Sequence, residues 1–192
     1  MTDASELVAA LRSIASAFES LAVPWAIGGS VASSAYGEPR MTNDVDVIAL
    51  LDVDSARLLG GLLGEDFYAD PDVAVEAVRV RGSFNVIDTR SLLKIDVFVP
   101  SPGPLGVGQL TRRRTLQVLP GLPAIPVLSP EDVVLQKLRW FQLGGETSDR
   151  QWRDLVAVLA QQRQTLDLAY LHDVGSGSLA GLLARALMDA SI

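Results

Sequence analysis

Three aspartates on two apolar segments are the residues of this chain best placed to do chemistry. Asp44-Val45-Asp46 opens one segment, and Lys94-Ile95-Asp96-Val97-Phe98 holds the other. If both are strands, side chains alternate between faces, so Asp44 and Asp46 point the same way, about 7 Å apart by strand rise. Two carboxylates so placed repel each other unless a cation sits beside them. Magnesium suits the position, being a hard ion that takes carboxylate and phosphate oxygens. Asp96, on a neighbouring strand, adds a third ligand. Three carboxylates can hold two Mg²⁺ ions, one steering a triphosphate and one activating an attacking hydroxyl. Upstream, Gly28-Gly29-Ser30 stands at a strand end and opens a helix. Glycines let the backbone approach phosphate oxygens, a helix N-terminus offers free N–H groups, and the Ser30 hydroxyl adds a donor.

Each feature alone has a plainer explanation. A strand half-open to water accounts for Asp44 and Asp46, although aspartate is depleted in strands. A tight strand-to-helix turn with Ser30 as N-cap accounts for the glycines. The turn, the paired aspartates and the third aspartate together are more specific than any one of them.

The elements that must position these residues are legible in the pattern. Leu7, Leu11, Ile14 and Phe18 recur at helical spacing within Ala4 to Leu21. Trp25-Ala26-Ile27 reads as a short buried strand, Ser30 to Tyr36 as a close-packed helix, Val45 to Leu51 as a strand and Asp54 to Leu63 as a helix. Pro71 to Val80 reads as a helix with proline in its first turn. Phe84 to Asp88 and Leu93 to Val99 form a hairpin pattern. Pro100 to Gly108 reads as a loop; its glycines lack dinucleotide-motif spacing. Thr115 to Leu119 and Ala124 to Val127 suit an edge hairpin, because Pro120, Pro123 and Pro126 fit edges. Composition then turns helical. Ser129 caps a helix that begins at Pro130 with acids in its first turn and runs to about Leu143. Further helices follow from about Ser148 to Gln162, from near Asp167 and from near Ser178. The expected architecture is an α/β (α+β) domain over residues 1–128, a mixed sheet flanked by helices, followed by a C-terminal helical region over residues 129–192.

Bulk properties exclude several classes. The chain has 192 residues, 48% of them apolar, so a real core can form. Its 16 basic and 23 acidic residues give a net charge of −7, which argues against a broad, sequence-independent grip on long nucleic acid. Arg112-Arg113-Arg114 is a candidate basic patch or, equally, a solvated loop run. The absence of cysteine removes disulfides, thiolate zinc sites and a cysteine nucleophile. The lone His172 suits a helix end. No stretch reads as a membrane span, and the start, with Asp3 and Glu6, lacks a basic signal region, so a cytoplasmic location is the expectation.

On Gly29-Ser30, Asp44-Val45-Asp46 and Asp96, the chain resembles the nucleotidyltransferase superfamily, whose fold is that of DNA polymerase beta. The wider string from Gly28 to Ala32, through Tyr36-Gly37, Pro39-Arg40 and Thr42 to Asp46, is similar to AbiEii-type and related minimal nucleotidyltransferases of bacterial toxin–antitoxin pairs. Asp132 to Lys137 and Arg150 to Leu155 resemble that branch's helical motifs, with Arg153-Asp154 standing where the branch often has Lys-Asp. The resemblance implies Mg²⁺-dependent transfer of a nucleoside monophosphate from an NTP, ATP among them, to an acceptor hydroxyl. Asp44, Asp46 and Asp96 would hold metal, Asp96 would also help deprotonate the acceptor, and Asp154 would act as a base or position the acceptor. Gly28, Gly29, Ser30, Arg40, Thr42 and Lys137 would line the nucleotide site. A tRNA end, a partner protein or a small molecule would be the acceptor, and an antitoxin a partner. A non-catalytic nucleotide- or partner-binding module on the same fold is the alternative. From the residues alone, Lys137 equally suits a lysine snorkelling to water, Arg150 and Asp154 an ion pair on one helix face, and Trp140 and Trp152 core positions between helices.

Overall fold

Helix α1 (Ala4–Ser20) buries the predicted stripe of Leu7, Leu11, Ile14 and Phe18, and Phe18 stacks on Trp25 of β1 (Trp25–Ile27), their ring centroids 5.4 Å apart. The computed structural model describes residues 4–192, so Asp3 lies outside the described residues. After β1 come α2 (Gly29–Tyr36), β2 (Asp44–Ala49), α3 (Val53–Leu63), β3 (Phe67–Ala69), α4 (Pro71–Val80), β4 (Ser83–Asp88) and β5 (Lys94–Phe98). Then follow α5 (Gln109–Thr111), β6 (Arg114–Leu116), β7 (Ile125–Val127), α6 (Pro130–Leu143), α7 (Asp149–Gln162), α8 (Leu168–Val174) and α9 (Ala180–Asp189). The strands make one seven-stranded mixed sheet in the order β3-β4-β5-β2-β1-β7-β6. β2 pairs in parallel with β5, and β1 with β7, whereas the other neighbours are antiparallel. This is the mixed α/β architecture expected from the pattern.

Alternation along β2 and β5 sorts the side chains. Val45, Val47, Ile95 and Val97 have no solvent exposure and face the closed side of the sheet. Each such buried aliphatic contributes about 1.5–3 kcal/mol of hydrophobic stabilisation. Asp44, Asp46, Lys94 and Asp96 therefore share the other face. Helix α2 crosses from β1 to β2 and packs against both α6 and α7. Its C-terminal Gly37 permits the close approach, since a Cβ there would lie 2.9 Å from the Val158 backbone nitrogen.

The caps behave as chemistry requires. Ser129 Oγ accepts from the Asp132 amide to start α6, Ser148 from Gln151 to start α7, and Asp167 from Tyr170 to start α8. Several expectations are corrected. Residues Phe67–Ala69, for which the sequence pattern offers no reading, form a strand too short to show a period of two. Pro104–Gly108, read as loop, is a wide helical turn that runs into α5. The expected hairpin forms at the sheet edge as β6 and β7, but Pro126 lies in the inner strand of the two and is tolerated because β7 meets β1 only at Ile27–Val127.

The Arg112–Arg114 run is neither a basic patch nor a solvated loop. Arg112 pairs with Glu131 and Asp132, both buried, at 3.3 Å each, and stacks over the Tyr170 ring. Arg114 reaches Glu131 at 3.8 Å, and Arg113 donates to the Leu110 carbonyl. Tyr170 Oη donates to Asp132 at 2.7 Å. Buried carboxylates demand such partners, so these arginines tie the β6 hairpin to the starts of α6 and α8. Among the described residues no helix is long and apolar enough to cross a membrane.

Candidate active site

The parallel register of β2 and β5 sets Asp46 directly beside Asp96, and Asp44 beside Lys94. All four side chains occupy one face. The Lys94 ammonium sits 2.9 Å from Asp96 and 3.7 Å from Asp44. Asp46 lies deeper. Burial, and then the charge of Asp96, push its carboxyl above the ordinary carboxylate range. The strand pair thus holds excess negative charge around Asp46, and a hard cation ligated by carboxylate oxygens would relieve it.

The glycine turn is fitted to that carboxylate. Gly29 has φ +54°, and a Cβ on it would fall 1.6 Å from Asp46 Oδ2. Only glycine fits at this point, because the left-handed backbone and the close approach both exclude a side chain. Gly28 is the helix N-cap, and its N–H donates to the Asp46 carbonyl at 2.9 Å, locking the turn to β2. Ser30 is therefore not the N-cap: it is the second residue of α2, and its Oγ accepts from Arg40.

A second charged cluster faces this one. Asp154 of α7 accepts from Arg40 Nε at 3.0 Å and Nη2 at 2.9 Å, and from Lys137 Nζ at 2.9 Å. Burial pushes the Asp154 carboxyl up, but hydrogen bonds from Arg40 and Lys137 outweigh it and hold the carboxyl below its usual range. Burial pushes the Lys137 ammonium down, and Asp154 offsets part of that. Lys137 is 6% exposed, so it does not snorkel to water. Asp154 is paired with Arg40 and Lys137, not with Arg150 one turn earlier, which corrects the surface-pair expectation.

These groups line a cleft of about 890 Å³ between the sheet, α6 and the start of α7. Gly29, Ser30, Arg40, Asp46 and Lys137 are in its wall. Gly28 stands behind Gly29, and Asp154 behind Arg40 and Lys137. Asp44 and Asp96 continue the carboxylate face beside Asp46 rather than line the cleft. Thr42 does not line it either; its hydroxyl donates to the Asp44 carbonyl at 3.0 Å and shapes the turn into β2. Among the described residues, no group of three or more His, Asp or Glu side chains is drawn together closely enough to hold a metal ion. The Lys94 ammonium sits closer to Asp96 than to Asp44, so a cation held by the Asp46–Asp96 carboxylate pair, the donor set that suits Mg²⁺, would have to displace it from Asp96.

Two features of the site were not legible as such. Trp140, expected in the core, is 51% exposed and lines the cleft, its ring centroid 6.2 Å from that of Phe98. Trp152 does pack, against Phe141 at 5.0 Å, with Arg185 over its other face. Lys94 was visible only as one of two lysines in the chain. Its position on the carboxylate face, alternating with Asp96 along β5, was the available signal.

At the level of sequence, no family model and no curated protein matches the chain. The antibiotic-resistance factor ANT(2'')-Ia superposes with a TM-score of 0.60 at 13% identity, over 97% of this chain and 96% of that one. An antigenic nucleotidyltransferase-like protein from Paracoccidioides brasiliensis gives a TM-score of 0.56 at 19% identity, over 99% and 94%. A Thermotoga maritima protein assigned as a nucleotidyltransferase gives 0.51 at 19% identity, over 77% and 92%. The chain has the nucleotidyltransferase fold.

Proposed function

We propose that this chain is a nucleotidyltransferase that moves a nucleoside monophosphate from a Mg²⁺-bound NTP to an acceptor hydroxyl. The observation that carries the reading is the in-register Asp46–Asp96 pair set against the side-chain-free face of Gly29. A bound magnesium ion would neutralise phosphate charge and polarise the α-phosphate there. Asp46 and Asp96 would hold it, with Asp44 on the same face; a two-ion arrangement also requires the Lys94 ammonium to leave Asp44. Gly29, Ser30 and the α2 N-terminus would receive the triphosphate, and Lys137 would meet its charge. The acceptor oxygen forms a bond to the α-phosphorus, the bond to the bridging oxygen breaks, and pyrophosphate leaves. The acceptor proton would pass to the Asp96 carboxylate once the Lys94 ammonium, 2.9 Å away, has left it. Asp154, committed to Arg40 and Lys137, is better suited to positioning than to proton abstraction. Catalysis is then positioning and charge neutralisation.

The finer form of this reading is an AbiEii-type enzyme in a toxin–antitoxin pair, supported by the string from Gly28 to Asp46 and by Lys137 and Asp154. A non-catalytic nucleotide-binding module is the second reading, favoured by the seat of Lys94 between Asp44 and Asp96. One experiment separates them. Pyrophosphate release from each NTP with Mg²⁺ is expected from the wild type and not from the double variant Asp46→Ala, Asp96→Ala. NTP binding with no pyrophosphate release from the wild type, whatever the acceptor offered, decides for the module.

A further inference from the structure

The outer half of the cleft has a charge opposite to that of the protein. The chain carries −7 overall, yet Arg81, Arg139 and Arg150 line this half, with Asp173 as its acid. Among the described residues none of these three arginines forms an ion pair, whereas Arg40 and Lys137 deeper in are both tied to Asp154. Arg81 is the left-handed C-cap that ends α4 and turns the chain towards the cleft. Trp140, half exposed and tilted against Phe98, lines the same cleft. In the same wall, the Gln151 side-chain oxygen is buried and has no hydrogen-bond partner.

Unpaired guanidinium groups recognise phosphate, an exposed indole beside them offers a stacking face, and a buried unpaired amide oxygen lacks a donor. A polycationic acceptor would meet three like charges. We infer that the outer cleft is an acceptor subsite for a phosphate-bearing nucleobase, supplied either by a free nucleotide or by the end of a single RNA strand. The inference rests on the transfer reading of the inner cleft, because it takes the NTP to be held at Gly29 and Lys137. It also fits the acidic net charge, since three local cations grip a few phosphates and not a long duplex.

Binding measurements on the full chain test it. The probes are a 5′-phosphorylated single-stranded oligoribonucleotide trimer, which carries three phosphates, a nucleoside 5′-monophosphate, spermine as a polycation, and a fluorescent NTP analogue with Mg²⁺. The trimer is expected to bind alongside the NTP analogue, with log K falling against log salt at a slope of about −2, the value for three neutralised phosphates on a single strand. Arg150→Gln is expected to reduce that slope by about 0.7. Trp140→Ala is expected to weaken binding about 5- to 150-fold at an unchanged slope. Both residues are exposed, and circular dichroism verifies folding. A monophosphate that binds as tightly as the trimer identifies the free nucleotide as the source; a tighter trimer identifies the strand end. Competition between trimer and NTP analogue, a slope near zero, or tighter binding of spermine overturns the inference. Wild type that binds NTP but neither nucleotide probe refutes this inference alone. Wild type that binds the trimer but no NTP refutes the transfer reading and leaves the cationic subsite standing.

Discussion

Gly29→Ala isolates the fit between the glycine turn and the carboxylate strand. The substitution has two separable effects. The first is on the backbone: an L-residue forced to φ +54° costs about 1–2 kcal/mol of stability. The second is steric: the new methyl would lie 1.6 Å from Asp46 Oδ2 and 2.5 Å from its Cγ, so the carboxyl group must swing away. Misplacing a reacting or ligating group by about 1 Å lowers turnover on the order of 10²-fold. Gly64→Ala supplies the control. Gly64 also has positive φ, +84°, but a Cβ there meets nothing within 4 Å. Urea denaturation should show both variants destabilised, Gly29→Ala by about 1–2 kcal/mol and Gly64→Ala, at φ +84° and ψ −176°, by about 1–3 kcal/mol. Pyrophosphate release per folded molecule should fall about 100-fold in Gly29→Ala and stay at the wild-type level in Gly64→Ala. Equal turnover in the two variants refutes the claim that Gly29 exists to admit Asp46.

Asp46→Asn should raise the urea midpoint at neutral pH while abolishing turnover. The fold raises that carboxyl, so its ionised form opposes folding once pH passes through the ordinary carboxylate range towards the raised value, and the amide removes the cost; an unchanged or lower midpoint contradicts this. Asp154 has the opposite sign. Its folded value is lowered, so its contribution is complete above the unfolded carboxylate value and is lost as pH falls through the folded one. Wild type should therefore lose stability below about pH 4 more steeply than Asp154→Asn, as read from denaturation midpoints. Arg112→Met strips buried Asp132 of its cation, leaves Glu131 only Arg114 at 3.8 Å, and should cost about 3–5 kcal/mol, with NTP affinity per folded molecule unchanged because Arg112 does not line the cleft.

What the sequence disclosed follows from what is local. Caps at Ser129, Ser148 and Asp167 are read from a few adjacent residues, and so were the helix starts. The Gly28–Ser30 turn and the Asp44–Asp46 alternation are likewise contiguous signals. The register that brings Asp96 beside Asp46 is not local, yet a carboxylate in an apolar strand was enough to predict the meeting. The failures share one cause. Lys94 could be placed only once β5 was paired with β2. The partners of Arg112 lie across the β6–β7 hairpin and on α8, so its three-arginine run looked like surface. Trp140 lies on an apolar helix, and apolarity alone does not say which turn of that helix emerges into a cleft. Arg150 and Asp154 share a helix face, but the stronger claim on Asp154 came from α2's following loop and from α6.

One helix gauges both halves of the cleft. Lys137 and Trp140 are a single turn apart on α6, and the start of that helix is fixed by Ser129 and by the arginines over Glu131 and Asp132. A slip of α6 would shift donor and acceptor pockets in concert, like two marks on a ruler. Retuning which acceptor is taken, while sparing the triphosphate, is therefore a task for the opposite wall at Arg81 and the 100–106 segment, where residues can vary without moving the ruler.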